Sequence, residues 1–178
     1  MKKNPESPKK MLPSPIHPDF YAAQELAYEP SGLICKNFMK ELESEEYGAA
    51  EFEMNDQKNK FRIGKMTPKK TGQFVTLWKR GSDGVIQPYD VADPYCFYVV
   101  SVRHPTRFGQ FVFPKDVLGE KGLLSKNGKG GKRAMRIYPP WNIAENSQAK
   151  KTQEWQLAFY FEINLSLDTK LVRKLFHC

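Results

Sequence analysis

The sequence is short of the residues on which many small-protein chemistries depend. Its 178 residues hold three cysteines, Cys35, Cys96 and Cys178, odd in number, widely separated and without a CxxC pair. That argues against a disulfide framework or a zinc site and fits a reducing cytoplasm. Cys96 sits in an apolar run and reads as a small buried hydrophobe. The histidines His17, His104 and His177 stand apart, and neither HExxH nor GxSxG occurs. The usual zinc-hydrolase and serine-hydrolase routes are therefore missing. The longest apolar run, CFYVVSV from Cys96, is far too short to span a bilayer. No apolar core follows the basic start MKKNPESPKK, so neither a secretory signal nor a membrane partner is expected. GKGGKR lacks the spacing and the Ser or Thr of a nucleotide P-loop.

Acid is the other scarcity, and it is local. The formal net charge is +8. Residues 58–136 hold 17 Lys and Arg against five acids, Asp83, Asp90, Asp93, Asp116 and Glu120. The stretch FRIGKMTPKKTGQFVTLWKR, residues 61–80, has no acid at all and carries Arg62, Lys65, Lys69, Lys70, Lys79 and Arg80. Immediately upstream, residues 41–56 reverse the sign with Glu41, Glu43, Glu45, Glu46, Glu51, Glu53 and Asp56, and no base. A basic module of this kind favours a polyanionic partner.

The length suits one domain with a real core, spanning residues 19–178. Residues 1–18, rich in Pro and Lys, read as a mobile arm. Pro18 suits the first turn of a helix, DFYAAQELAYE. GLICKNFMKELES has apolar residues at roughly helical spacing, with Ser31 as its cap, and is expected to form a second helix. From Tyr47 the period changes to two. AAEFEMN puts Ala50, Phe52 and Met54 on one face and Glu51 and Glu53 on the other. KFRIGKMT and QFVTLWKR follow as strands, and GSDGVIQPYD as a loop. DPYCFYVVSVR is the most apolar strand and is expected at the centre of a sheet. QFVFP, a short helix PKDVLGE, a flexible loop SKNGKGGK and a strand RAMRIY come next. SQAKKTQEWQ reads as a helix, LAFYFEINL as its continuation or a strand, and DTKLVRKLF as a terminal helix behind Asp168.

Lysines and arginines along a hairpin present charge to a phosphate backbone. A second acid-free cluster, Lys126, Lys129, Lys132, Arg133 and Arg136, strengthens that reading, and its glycines let backbone amides approach an anion. The expected phosphate contacts are Arg62, Lys65, Lys69, Lys70, Lys79, Arg80, Lys129, Lys132, Arg133 and Arg136, with Trp78 and Trp141 as stacking rings. RNA, single-stranded DNA and duplex DNA all remain open as the ligand.

FRIGKMTPKKTGQFVTLWKR, GQFVFPK, GGKRAMRIYPPW and, upstream, ESEEYGAAEF together resemble the MepB family of small bacterial proteins, from about Tyr21 to the C-terminus. The resemblance implies an α+β fold similar to the restriction endonucleases, with a largely antiparallel or mixed central sheet flanked by helices. It also implies nucleic-acid binding. Nucleases of that PD-(D/E)XK superfamily need acids for Mg²⁺ and a lysine two residues after one of them. Here the matching tripeptide is Ile63-Gly64-Lys65, and isoleucine cannot bind a metal. No cofactor and no catalysis are therefore expected. The alternative is a Mg²⁺-dependent nuclease in which Lys65 works with Glu43, Glu46, Glu51 or Glu53.

Overall fold

Hydrophobic alternation decides where the strands lie. The computed structural model describes residues 16–177; most of the expected N-terminal arm, and Cys178, lie outside them. α1 (Pro18–Ala23) begins at its proline, with the Asp19 amide donating to His17 Nδ1 at 3.2 Å. The helix continues as a π turn over Gln24–Tyr28 and a 3₁₀ turn over Glu29–Ser31. Then come β1 (Cys35–Lys40), β2 (Ala50–Met54), β3 (Gln57–Ile63), β4 (Lys65–Thr67), β5 (Lys70–Thr76), β6 (Trp78–Arg80) and β7 (Ile86–Pro88). The long pair β8 (Phe97–His104) and β9 (Arg107–Pro114) leads into α2 (Lys115–Glu120). β10 (Ser125–Lys126), β11 (Lys129–Gly130), β12 (Ala134–Ile137), α3 (Ser147–Leu157), β13 (Tyr160–Glu162) and α4 (Thr169–Leu175) complete the described chain. Asp168 Oδ1 caps α4, accepting from the Lys170 and Leu171 amides at 3.0 Å.

The main sheet has six strands in the order β1-β2-β3-β8-β9-β13. β3 and β8 pair in parallel, and the other neighbours are antiparallel. This is the mixed α+β sheet that the sequence predicts. β8 is buried on both faces: Phe97 and Val99 enter one core, while Tyr98, Val100 and Val102 enter the other, which is why its sequence is almost continuously apolar. The first core lies under α1 and α4. Phe20 sits at its centre, edge-on to Phe38, Phe52 and Phe61 at 5.0–5.3 Å. The second core is roofed by a three-stranded sheet, β12-β5-β4, together with α2 and α3.

Several expectations need correction. GLICKNFMKELES is not a helix. Cys35–Lys40 forms the edge strand β1, paired with β2 through a bulge at Asn37 (φ 53°). Met39 and Leu42, expected on an apolar helix stripe, are 57% and 88% exposed. KFRIGKMT is not one strand either. It breaks at Gly64, where an added Cβ would lie 2.7 Å from Gln73 Oε1 and 3.3 Å from Val102 Cγ1. Only glycine lets the chain pass from the main sheet into the smaller one so close to its neighbours. QFVTLWKR divides in the same way at Leu77, and β6 pairs with β7, inside the expected loop. SKNGKGGK is a short hairpin, β10–β11, turning on Asn127 (φ 53°) and Gly128 (φ 71°), the left-handed pair that a tight primed turn requires. Among the described residues, no helix is long and apolar enough to cross a membrane.

Candidate functional site

The strand break at Gly64 separates the cations of residues 58–80 into two environments. On β3 the alternation sends Phe61 into the first core and Lys60 and Arg62 to the opposite face. Both cations are buried, at 4% and 2% exposure, and the acidic block supplies their countercharge, while Arg62 Nε is left without a hydrogen-bond partner. Arg62 donates to Glu41 at 2.6 Å and to Tyr89 Oη at 3.0 Å. Lys60 donates to Glu41 and, at 3.2 Å, to Glu51, which also accepts from Tyr95 Oη at 2.8 Å. Burial works against charge on Glu41, but Arg62 and Lys60 outweigh it and hold its carboxyl below the ordinary value. Burial likewise disfavours a charged Lys60, yet Tyr89 and Glu41 raise its pKa above that of a free lysine.

This pairing withdraws Arg62 from the expected phosphate contacts, because no ligand reaches it. Other members are engaged more loosely. Lys79 pairs with Asp93. Arg80 grips Glu43 with two nitrogens, Nη2 at 2.9 Å, and donates to the Gly84 carbonyl at 2.7 Å. Lys65 lies 3.5 Å from Glu46 and 4.8 Å from the centre of the Tyr47 ring. Trp78 and Trp141 are half-buried, and each lies under an arginine, Arg80 at 5.9 Å and Arg107 at 4.8 Å. Trp141 also packs against the second core.

The second environment is built by the smaller sheet. β12 pairs with β5, Arg136 opposite Phe74, so the two acid-free segments of the sequence meet side by side. Arg136 Nη1 donates to Thr67 Oγ1 at 3.0 Å and reaches the carbonyls of Lys70, Thr71 and Gly72 at 3.2–3.3 Å. It thereby fixes the β4–β5 turn from across the sheet. α3 closes the far side, because Gln148, Lys151, Thr152 and Trp155 follow helical spacing on one face. The result is a cleft of about 590 Å³. Its cations are Lys70, Lys121, Lys132, Arg136 and Lys151, its rings are Phe74, Tyr138 and Trp155, and no acid lines it. None of the five cations is within ion-pair distance of a carboxylate among the described residues. Lys69, Lys129 and Arg133 are exposed outside the cleft lining. Lys121, Lys151 and Trp155 were not among the expected contacts. The spacing of KKTQEWQ on a helix was the available signal for the last two.

The acids required by the Mg²⁺ alternative do not assemble. Glu43 is held by Arg80, Glu51 by Lys60 and Tyr95, and Glu53 by Asn37 at 2.6 Å. Glu46 is the acid that reaches Lys65. Lys65 and Ile63 belong to different strands, so they do not form the two-residue pair of a nuclease strand. Among the described residues no three His, Cys, Asp or Glu groups converge as metal ligands. The residues present do not fit a bound Mg²⁺.

Residues 41–162 match the MepB-like family model. No match is found among curated proteins. Among solved structures, the crystal structure of MepB superposes with a TM-score of 0.72 at 30% identity, covering 83% of this chain and 98% of that one. A bacterial homing endonuclease, I-Ssp6803I, gives a TM-score of 0.40 at 17% identity, over 77% of this chain and 88% of its own.

Proposed function

The chain belongs to the MepB-like family, and on that footing we propose that it binds nucleic acid through the sugar–phosphate backbone, in the cytoplasm, without sequence preference and without cutting it. One observation carries the reading: five cations line a cleft with no acid in it, and none of them has a carboxylate partner among the described residues. Cations held this close repel one another, so an anion that enters relieves that repulsion and also releases its own condensed counterions. Lys70, Lys121, Lys132, Arg136 and Lys151 make the principal phosphate contacts, and Lys69 and Arg133, their chain neighbours, extend them. Lys65, Lys79 and Arg80 are secondary, since a phosphate must first displace Glu46, Asp93 or Glu43.

The test is binding to single- and double-stranded oligonucleotides across a salt series, by anisotropy. Affinity is expected to fall steeply as salt rises, with a log–log slope of roughly −3.5 on a single strand and roughly −4.5 on a duplex if five phosphates are contacted. Binding that ignores salt would remove the proposal. Incubation of the same oligonucleotides with Mg²⁺ or Mn²⁺ is expected to leave them intact. Metal-dependent cleavage lost in Lys65→Ala would replace the binding reading with the nuclease one.

A further inference from the structure

We infer that the cleft takes an unpaired strand, with a base held against its aromatic floor, rather than the outside of a duplex. This rests on the nucleic-acid reading above and narrows it. The cations alone would serve any polyanion, but the rings would not. Trp155, Tyr138 and Phe74 are half-buried in the wall of the same cleft, where a site for backbone alone needs no aromatic surface. The Trp155 ring packs against Phe113, with centroids 5.5 Å apart, and the Lys121 ammonium lies over its face at 5.5 Å from the centre, so a base that stacks there moves the ammonium aside onto the strand's own phosphate. A ring and a cation held together match the two ends of one nucleotide, base and phosphate. A duplex keeps its bases inside and can offer a concave site nothing but phosphate and sugar; a single strand can turn a base onto a ring.

The cavity next along the surface gives the strand a path. That cavity, about 520 Å³, shares Lys70, Arg136, Tyr138, Gln148 and Thr152 with the first. The one acid on its wall, Glu145, accepts from Thr71 Oγ1. A backbone passing between the two cavities runs over Lys70 and Arg136, and the base can drop toward Trp155 and Tyr138. A base has the flat apolar face that this floor accommodates, and no sequence-reading set of amides is needed for it. Gln156, the buried amide of the cleft, is already engaged by the Tyr138 amide and the Arg136 carbonyl, both at 2.9 Å.

The deciding experiment compares four ligands of equal length across the same salt series: oligothymidylate, oligouridylate, an abasic deoxyribose-phosphate oligomer and a duplex. The phosphates are matched across the three single strands, so the parent proposal alone predicts equal affinity for them. The inference predicts that the abasic oligomer binds about fivefold or more weakly than a base-bearing strand, and that base-bearing strands quench tryptophan emission. The two base-bearing strands separate DNA from RNA; a preference of either over the abasic oligomer supports the inference. Equal binding of abasic and base-bearing strands, with a steep salt dependence, would overturn the inference and leave the parent proposal standing. Salt-independent binding of all four would remove both. Trp155→Leu, checked for folding by circular dichroism, is expected to bring base-bearing strands down to the abasic affinity. Trp155→Phe keeps a ring and is expected to keep most of the preference.

Discussion

At the scale of single residues, burial sets which polar groups matter. Tyr98 is 1% exposed, and its hydroxyl is buried without a hydrogen-bond partner. Burial, reinforced by Asp93, pushes its pKa far above the usual phenol value. An unpaired buried hydroxyl is a net cost to folding, so Tyr98→Phe should hold stability or raise it by up to about 1 kcal/mol. Urea unfolding measures this, and a clear loss would mean that the hydroxyl has a partner. Glu41 is the opposite case. It serves two buried cations at once, and its side chain is 22% exposed. Glu41→Ala should cost about 3 kcal/mol by leaving Lys60 and Arg62 short of countercharge in the interior. The pH dependence follows from the lowered pKa of Glu41. Its contribution is full above its unfolded value, near 4.5, and is lost as pH falls through the folded value below that. The urea midpoints of wild type and Glu41→Gln should therefore converge on acidification, and a gap that persisted would break the argument.

At the scale of elements, caps were legible because their chemistry is local. Pro18 opens α1 and Asp168 caps α4, each dictated by residues within a few positions. The alternation of β2 and β8 was legible for the same reason. β1 was not, because what makes Cys35–Lys40 a strand is a partner far along the chain, Cys35 opposite Met54. Gly64 was misread because its need for closeness comes from Gln73 and Val102, neither of them its neighbour in sequence. The β10–β11 hairpin also depends on a distant residue. Asp90 accepts from the Gly128 amide at 3.0 Å, the Ala92 amide at 2.9 Å and Ser125 Oγ at 2.7 Å. These bonds, those of the Ala92 and Gly128 amides first, lower its pKa from 3.8 to about 2. A depressed carboxylate anchors its partners above the unfolded value and releases them as pH falls toward the folded one. Exchange at the Gly128 amide, corrected for intrinsic rate, should stay slow down to about pH 4 and accelerate between there and pH 2. Asp90→Ala should make it fast throughout, and an unaltered Gly128 in that variant would show that the hairpin holds itself.

At the scale of the molecule, the chain sorts its charge in a way that composition cannot show. Arg62, Arg80 and Lys70 look alike as letters in a basic stretch. Yet Arg62 is interior, Arg80 faces Glu43, and Lys70 opens onto a cleft without acid. The acidic block therefore neutralises one portion of the basic module and leaves the rest uncompensated. Local sequence gave the net sign, while tertiary pairing across β2, β3 and the segment before them decides which cations are free. That division has a measurable consequence. A cation that already holds a carboxylate releases no net charge when a phosphate replaces that partner, so its removal should barely alter the salt dependence of binding. Each unpaired cation should contribute about 0.7 to the log–log slope on a single strand. Lys121→Gln with Lys132→Gln is thus expected to flatten the slope by about 1.4 and to weaken binding to every strand. Lys79→Ala with Arg80→Ala, which changes the net charge by the same amount, should leave the slope nearly unchanged. Equal flattening by the two pairs would mean that net charge rather than the cleft attracts the strand, and would move the contact surface back to the whole basic face.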